Sequence, residues 1–168
     1  WPAGLPLPVI VTPAELAVAG DGEELARMIA AGGFAPARMT LEVTEQALLA
    51  DIQLARATLG ELAGQGIAIA LDDFGAGFCN FRYLKLLPLA CLKLDRTMID
   101  GVADDPRDLA VLRGIVAMAR APDLDVVAGG GESEAQRAMV AAEGCASYQG
   151  FLRAAPMSVQ AFGALAAG

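Results

Sequence analysis

Apolar and polar positions along this chain fall into two kinds of block, and the two kinds take turns. Runs with period two, such as Met39-Thr40-Leu41-Glu42-Val43-Thr44 and Ile67-Ala68-Ile69-Ala70-Leu71, read as strands. Longer runs with apolar residues at helical spacing follow them. Val9-Ile10-Val11 opens the series, and Thr12, Pro13 and Glu15 make a helix-start signal behind it. The spacing predicts a helix over residues 22–31, stopped by Gly32-Gly33. It predicts a second over residues 46–63, with Leu48, Ile52, Ala55, Leu59 and Leu62 as its buried stripe. A helical turn near residues 81–86, a strand over 91–95 and a helix capped by Asp105-Pro106 come next. Residues 124–128 read as a strand running into Gly129-Gly130-Gly131-Glu132. Ser133-Glu134-Ala135-Gln136 is a capping box whose helix Gly144 closes; residues 146–150 form a last strand, and Ser158 starts a final helix. About six strand–loop–helix repeats in succession predict a parallel sheet with right-handed crossovers, as a (β/α) barrel or a doubly wound sheet. Residues 1–8, with three prolines, read as a tail or a truncated edge.

The polar residues Glu42, Asp72, Asp73, Lys93, Glu132 and Gln149 all fall at or just past the C-terminal ends of these strands. In either parallel architecture those ends share one mouth, where ligands bind. Leu71-Asp72-Asp73-Phe74-Gly75-Ala76-Gly77 is the most suggestive stretch. Adjacent carboxylates repel, so a cation, a metal ion or a raised pKa is expected to compensate. Gly75 and Gly77 permit a sharp turn or a close approach to a ligand. Two solvated acids in a surface turn are the plainer alternative.

Composition narrows the chemistry. At 168 residues the chain fits one domain spanning 1–168, and 55% hydrophobic with only 5% aromatic residues and 19 Gly suits an α/β protein with small crossover helices. A formal charge of −8 argues against binding a DNA or RNA backbone. No apolar run reaches the roughly 20 residues that span a bilayer. Without a single His, imidazole acid–base chemistry and His-ligated zinc are excluded. Cys79, Cys91 and Cys145 are odd in number and unpatterned, and read as free packing thiols in a reducing compartment.

Leu41-Glu42-Val43-Thr44-Glu45, the Asp72-Asp73 stretch and Leu92-Lys93-Leu94-Asp95-Arg96 resemble, in order and spacing, the EAL family of cyclic di-GMP phosphodiesterases. Residues 128–133 and Tyr148-Gln149-Gly150-Phe151-Leu152 extend the resemblance, which covers roughly residues 8–165. It implies an α/β TIM-like (β/α) barrel of the EAL type, here with six units against the usual eight. It implies a mouth holding Mg²⁺ or Mn²⁺, which activate a water to open the cyclic dinucleotide to its linear form. Through it Glu42, Asp72, Asp73 and Glu132 match metal ligands and Lys93 the residue that holds or deprotonates the water. Gln149, Gly75 and Gly77 match ligand-binding positions.

Departures from the family pattern accompany these matches. The Glu-Ala-Leu strand that names the family does not occur in this sequence. Ile10 stands where the family has a metal-ligating Asn, and Gly129 where it has the first Glu of its loop. Each lost oxygen weakens a hard-cation site. The expectation is a degenerate domain with weak or no metal binding and little or no hydrolysis, serving as a cyclic di-GMP receptor, a protein-interaction module or both. Its setting is the bacterial cytoplasm, alone or within a larger membrane-associated protein, with attached signalling domains or a dimer as open arrangements. An active metal-dependent phosphodiesterase remains the alternative. Ile10→Asn with Gly129→Glu is expected to raise metal affinity. Plainer readings stand beside these: Lys93 as mere neutraliser of Asp72 and Asp73, Glu42 as its buried partner, and Glu132 favouring a helix N-terminus. The three glycines read as an anion nest or a flexible loop, and Asp95-Arg96 as a structural ion pair.

Overall fold

The computed structural model describes residues 5–12, 14–15, 22–49, 51–77 and 80–166. Residues 1–4 of the tail, Pro13 of the first helix-start signal and Cys79 lie outside them. The elements run β1 (Leu7–Val11), α1 (Gly22–Ala31), β2 (Met39–Thr44), α2 (Glu45–Leu49), α3 (Ile52–Gly64), β3 (Ala68–Phe74), α4 (Arg82–Leu86), β4 (Cys91–Leu94), α5 (Pro106–Arg120), β5 (Asp125–Gly129), α6 (Glu134–Glu143), β6 (Ser147–Gln149) and α7 (Val159–Ala166). All six strands are parallel and lie in sequence order, forming a curled half-barrel with β1 and β6 at its edges.

One face of this sheet makes the core. Leu41, Val43, Ile69, Leu71, Leu92, Leu94, Val126 and Ala128 alternate along four adjacent strands and are almost wholly buried. Leu48, Leu59, Leu62, Leu112, Val116 and Ala119 of the helices belong to the same core. Each such Leu, Ile or Val contributes about 1.5–3 kcal/mol by leaving water. The residues in between point to the other face. There Ile10 is in register with Glu42, Thr44 with Asp72, Lys93 with Val127 and Gly129 with Gln149. Parallel strands with helical crossovers therefore collect the polar strand-end residues at one end of the sheet.

The helix expected over 46–63 is two helices. Asp51 accepts hydrogen bonds from the N–H groups of Gln53 and Leu54 at 3.0 Å and caps α3 afresh. A short acidic side chain bonding forward competes with helix continuation, so α2 ends and α3 begins at this residue. The capping box at Ser133 and Gln136 forms as read, and Gly144 closes α6 in the left-handed conformation. Strand β3 also runs further than the alternation suggests, through both acids to Phe74.

Cys91 and Cys145 are free thiols whose pKa burial pushes up to about 11, with Asp125 and Glu143 respectively adding to the rise. At pH 8 the thiolate fraction is then about a hundredth of that of an ordinary thiol. In a Cys79→Ser background both are expected to react with Ellman's reagent roughly 100-fold more slowly than an exposed thiol. Two fast equivalents under native conditions would contradict their burial.

Candidate functional site

The centre of the mouth is an ion triad. The Lys93 ammonium lies 2.7 Å from Glu42 Oε2 and 3.0 Å from Asp72 Oδ2. The three groups come from β4, β2 and β3, and all are largely withdrawn from solvent, Glu42 being only 8% exposed. A bulge brings them together. Leu71 pairs with Leu92 and Phe74 with Leu94, so β3 spends three residues where β4 spends two. The extra residue leaves Asp72 facing Lys93 and turns Asp73 out at φ 55°, in the left-handed region that Asp tolerates better than most residues. Asp73 N–H donates to Asp72 Oδ1 at 3.0 Å, which fixes the turn. Gly75 follows at φ 105°, packed against Met98 where a Cβ would not fit.

Charge is distributed unevenly in this cluster. Burial pulls the Lys93 pKa down, but hydrogen bonds to Glu42 and Asp72, with their charges, outweigh it and hold it above the ordinary lysine value. Burial pushes Glu42 up, while the bond and charge of Lys93 pull back and Asp72 adds to the rise. Asp73 is raised by burial first, then by the charges of Asp72 and Asp95. Lys93 is thus a protonated side chain with two of its three N–H groups engaged, and is ill-suited to take a proton from water near neutral pH.

A second ionic cluster lies on the loops beside it. Arg96 Nη1 is 2.6 Å from Glu132 Oε1, and its Nε is 3.2 Å from Asp100 Oδ1. Gln136 locks this arrangement. Its Oε1 accepts from the N–H groups of Glu132 and Ser133, and its Nε2 donates to the Asp100 carbonyl. Asp95 does not pair with Arg96 as read from their adjacency. Its carboxylate caps the following turn, accepting from Thr97 N–H at 2.9 Å and Thr97 Oγ1 at 2.6 Å. Although burial pushes the Asp95 pKa up, these bonds outweigh it and leave it lowered.

The glycine run is not a slack loop. Gly130, at φ 79°, packs on the Arg96 side chain and donates its N–H to the Gln149 carbonyl at 2.8 Å. A Cβ on Gly129 would collide with the Leu94 carbonyl oxygen, and one on Gly131 would press on the Tyr148 ring. The run lies against β4 and β6 as backbone.

A cleft of about 340 Å³ opens here, lined among others by Asp72, Asp73, Lys93, Arg96, Glu132 and Gln149. The sequence-derived candidates Asp72, Asp73, Lys93, Glu132, Gln149 and Gly129 therefore converge, whereas Glu42 lies beneath Lys93, Ile10 is 65% exposed on the edge strand, and Gly75 and Gly77 do not line the cleft. Phe151, also 65% exposed, stands at the rim, and neither it nor Arg96 was singled out as a site residue by sequence reasoning. Their only sequence signal is adjacency to Lys93-Leu94-Asp95 and Gln149-Gly150. A larger apolar groove of about 470 Å³ runs along β1 and α1, away from these charges.

Hard oxygen donors suit Mg²⁺ or Mn²⁺ in kind. Oxygens of Glu42 and Asp72 converge on an ammonium and one of Glu132 on a guanidinium. Among the described residues no three Asp, Glu or Cys side chains stand together as a ligand group.

Comparison with known proteins adds family information. The profile of the EAL domain matches residues 2–156. The bifunctional diguanylate cyclase/cyclic di-GMP phosphodiesterase MucR of Pseudomonas aeruginosa is 41% identical over 125 residues, 74% of this chain and 18% of MucR, so the chain spans about a fifth of that protein. The solved MucR phosphodiesterase in complex with cyclic di-GMP superposes with a TM-score of 0.84 at 35% identity, over 94% of this chain and 64% of that one. The EAL domain of Mycobacterium smegmatis DcpA gives 0.89 at 34% identity, over 96% and 73%. BlrP1 of Klebsiella pneumoniae, solved with manganese and cyclic di-GMP, gives 0.82 at 26% identity, over 90% and 39%.

Proposed function

The chain belongs to the EAL domain family, and on that premise we propose that it acts as a receptor that binds cyclic di-GMP without hydrolysing it. The observation that carries this reading is the Lys93 ammonium bonded to both Glu42 and Asp72, with Ile10 and Gly129 in place of oxygen ligands. Hydrolysis by this family's chemistry needs a water activated between cations. Two of the positions matched to oxygen ligands, Ile10 and Gly129, offer none here, and the acids that remain at Glu42 and Asp72 bond a lysine ammonium.

What remains suits recognition of a guanine dinucleotide. A carboxylate such as that of Asp73, which has no side-chain partner among the described residues, accepts from the paired N–H donors on a guanine edge. Phe151 offers an exposed ring for stacking, and Arg96 a guanidinium within reach of a phosphodiester in the same cleft. The acidic excess around the mouth opposes the phosphates, so affinity is expected to be modest, with Kd around micromolar, about −8 kcal/mol.

Calorimetry with cyclic di-GMP, run in EDTA and again in Mg²⁺, is the test, with chromatography of the same mixtures. Saturable binding and no linear product is the expected result. Linear product whose formation Asp72→Asn abolishes would establish the phosphodiesterase alternative. No heat at millimolar ligand would leave the domain as a protein-interaction module.

A further inference from the structure

We infer that Gln136 is the positioning residue of the Arg96 guanidinium, and through it of one polar wall of the cleft. The two carboxylates that bond Arg96 come from two different loops. Asp100 Oδ1 accepts from Nε at 3.2 Å, and Glu132 Oε1 accepts from Nη1 at 2.6 Å. Asp100 belongs to the connection between β4 and α5, and Glu132 to the one between β5 and α6. Gln136 bonds both connections. Its Oε1 accepts from Glu132 N–H at 2.9 Å and Ser133 N–H at 3.0 Å, and its Nε2 donates to the Asp100 carbonyl at 3.2 Å. A capping box uses only the oxygen end of this amide, and Glu would serve it as well. The nitrogen end reaches across to the neighbouring loop, a bond that an ionised Glu could not donate.

Arg96 is half-exposed, and an untethered guanidinium in such a place samples many rotamers and loses them on binding. Here its stem is pressed against Gly130, where a Cβ would collide with it, and its head is tied at two points. Two of its five N–H groups are engaged, which leaves three for a ligand in the cleft. The two carboxylates offset its charge, so what Arg96 offers a phosphodiester is direction more than attraction. Gln136 sets that direction by fixing both carboxylate-bearing loops against each other. The positioning holds with or without nucleotide; its consequence for binding rests on the cyclic di-GMP reading above.

Gln136→Met keeps the length and neutrality of the side chain and removes both ends of the amide. Gln136 is only partly buried at the start of α6, so the variant is expected to fold. It should melt about 2–4 °C lower, for the weakened cap. Exchange of the Arg96 Nε–H proton is followed by nuclear magnetic resonance on the whole chain without nucleotide. It is expected to quicken about tenfold, as for the loss of one bond to a charged group. Exchange as slow as in the wild type overturns the inference. Calorimetry with cyclic di-GMP is then read as a double-mutant cycle with Arg96→Met. Each single variant is expected to bind about tenfold more weakly, and the double variant no more weakly than Arg96→Met. Losses that add in full, or a Gln136→Met affinity equal to that of the wild type, overturn the inference, because Gln136 would then not act through Arg96. A wild type that binds no cyclic di-GMP sinks the receptor reading instead, and the Arg96 exchange rate by itself decides this inference.

Discussion

Phe74→Ala is expected to lower stability by about 3–5 kcal/mol in urea denaturation, with a fall in melting temperature of about 6–20 °C. Phe74 has no exposed surface and is among the largest fully buried side chains of the core. Its ring meets Phe81 edge-on at 5.5 Å between centroids, and such a pair adds about 0.5–1.5 kcal/mol beyond area. The position also ends the bulged part of β3. Phe74 is back in register with Leu94, and its carbonyl accepts from Asp95 N–H at 2.9 Å. Truncation therefore removes core volume and the anchor just after Asp72 and Asp73. A variant losing under 1 kcal/mol would mean the ring is not buried as described.

Gly129→Glu is expected to cost about 3 kcal/mol in thermal melting and to leave Mn²⁺ affinity, followed by titration with the free ion read by electron paramagnetic resonance, unchanged. Family pattern alone suggests the opposite, because Glu is the ligand missing there. The clash is with a main-chain oxygen, that of Leu94, which cannot rotate aside as a side-chain tip does. Relief requires β4 and β5 to part at their ends, where Leu94 pairs with Ala128. Ile10→Asn, on an exposed edge position, should change stability by no more than about 0.5 kcal/mol. Combining the two restores ligand types while Lys93 still holds Glu42 and Asp72. Metal uptake by the double variant with Lys93 intact would show that β5 yields and that the ammonium gives way.

Much of the fold was legible because its signals are local. Period-two runs, helical stripes, the Ser133–Gln136 box and Gly144 act over two to four residues and placed most elements within a residue or two, the exceptions being the end of β3 at Phe74 and the helix over 46–63, which is two. The boundary at Asp51 was legible in principle as well, since Asp is a strong cap, but the apolar stripe that continues through Leu48 and Ile52 masked it. The site was legible as a set. Strand ends of one parallel sheet share a mouth, and Asp72, Asp73, Lys93, Glu132 and Gln149 line one cleft there.

Lys93 was legible as a neutraliser with Glu42 as its partner. Which of the two adjacent acids it takes, and what Arg96 meets, were not, because these depend on register and side-chain direction across strands far apart in sequence. Lys93 faces both Glu42 and Asp72, and Asp73 turns away, because a single bulge in β3 shifts the ladder between Leu71 and Phe74. Arg96 bonds Glu132, 36 positions on, while Asp95 turns to Thr97. The glycines that look like a slack loop are backbone pressed against Arg96, Leu94 and Tyr148. The sequence by itself determined the alternation of strands and helices, the family and the membership of the mouth, through short-range periodicity and residue type. Tertiary structure alone decided that Asp72 and not Asp73 takes the Lys93 ammonium and that Arg96 takes Glu132, since a shift of one residue in a parallel ladder moves a carboxylate from solvent to within 3.0 Å of an ammonium.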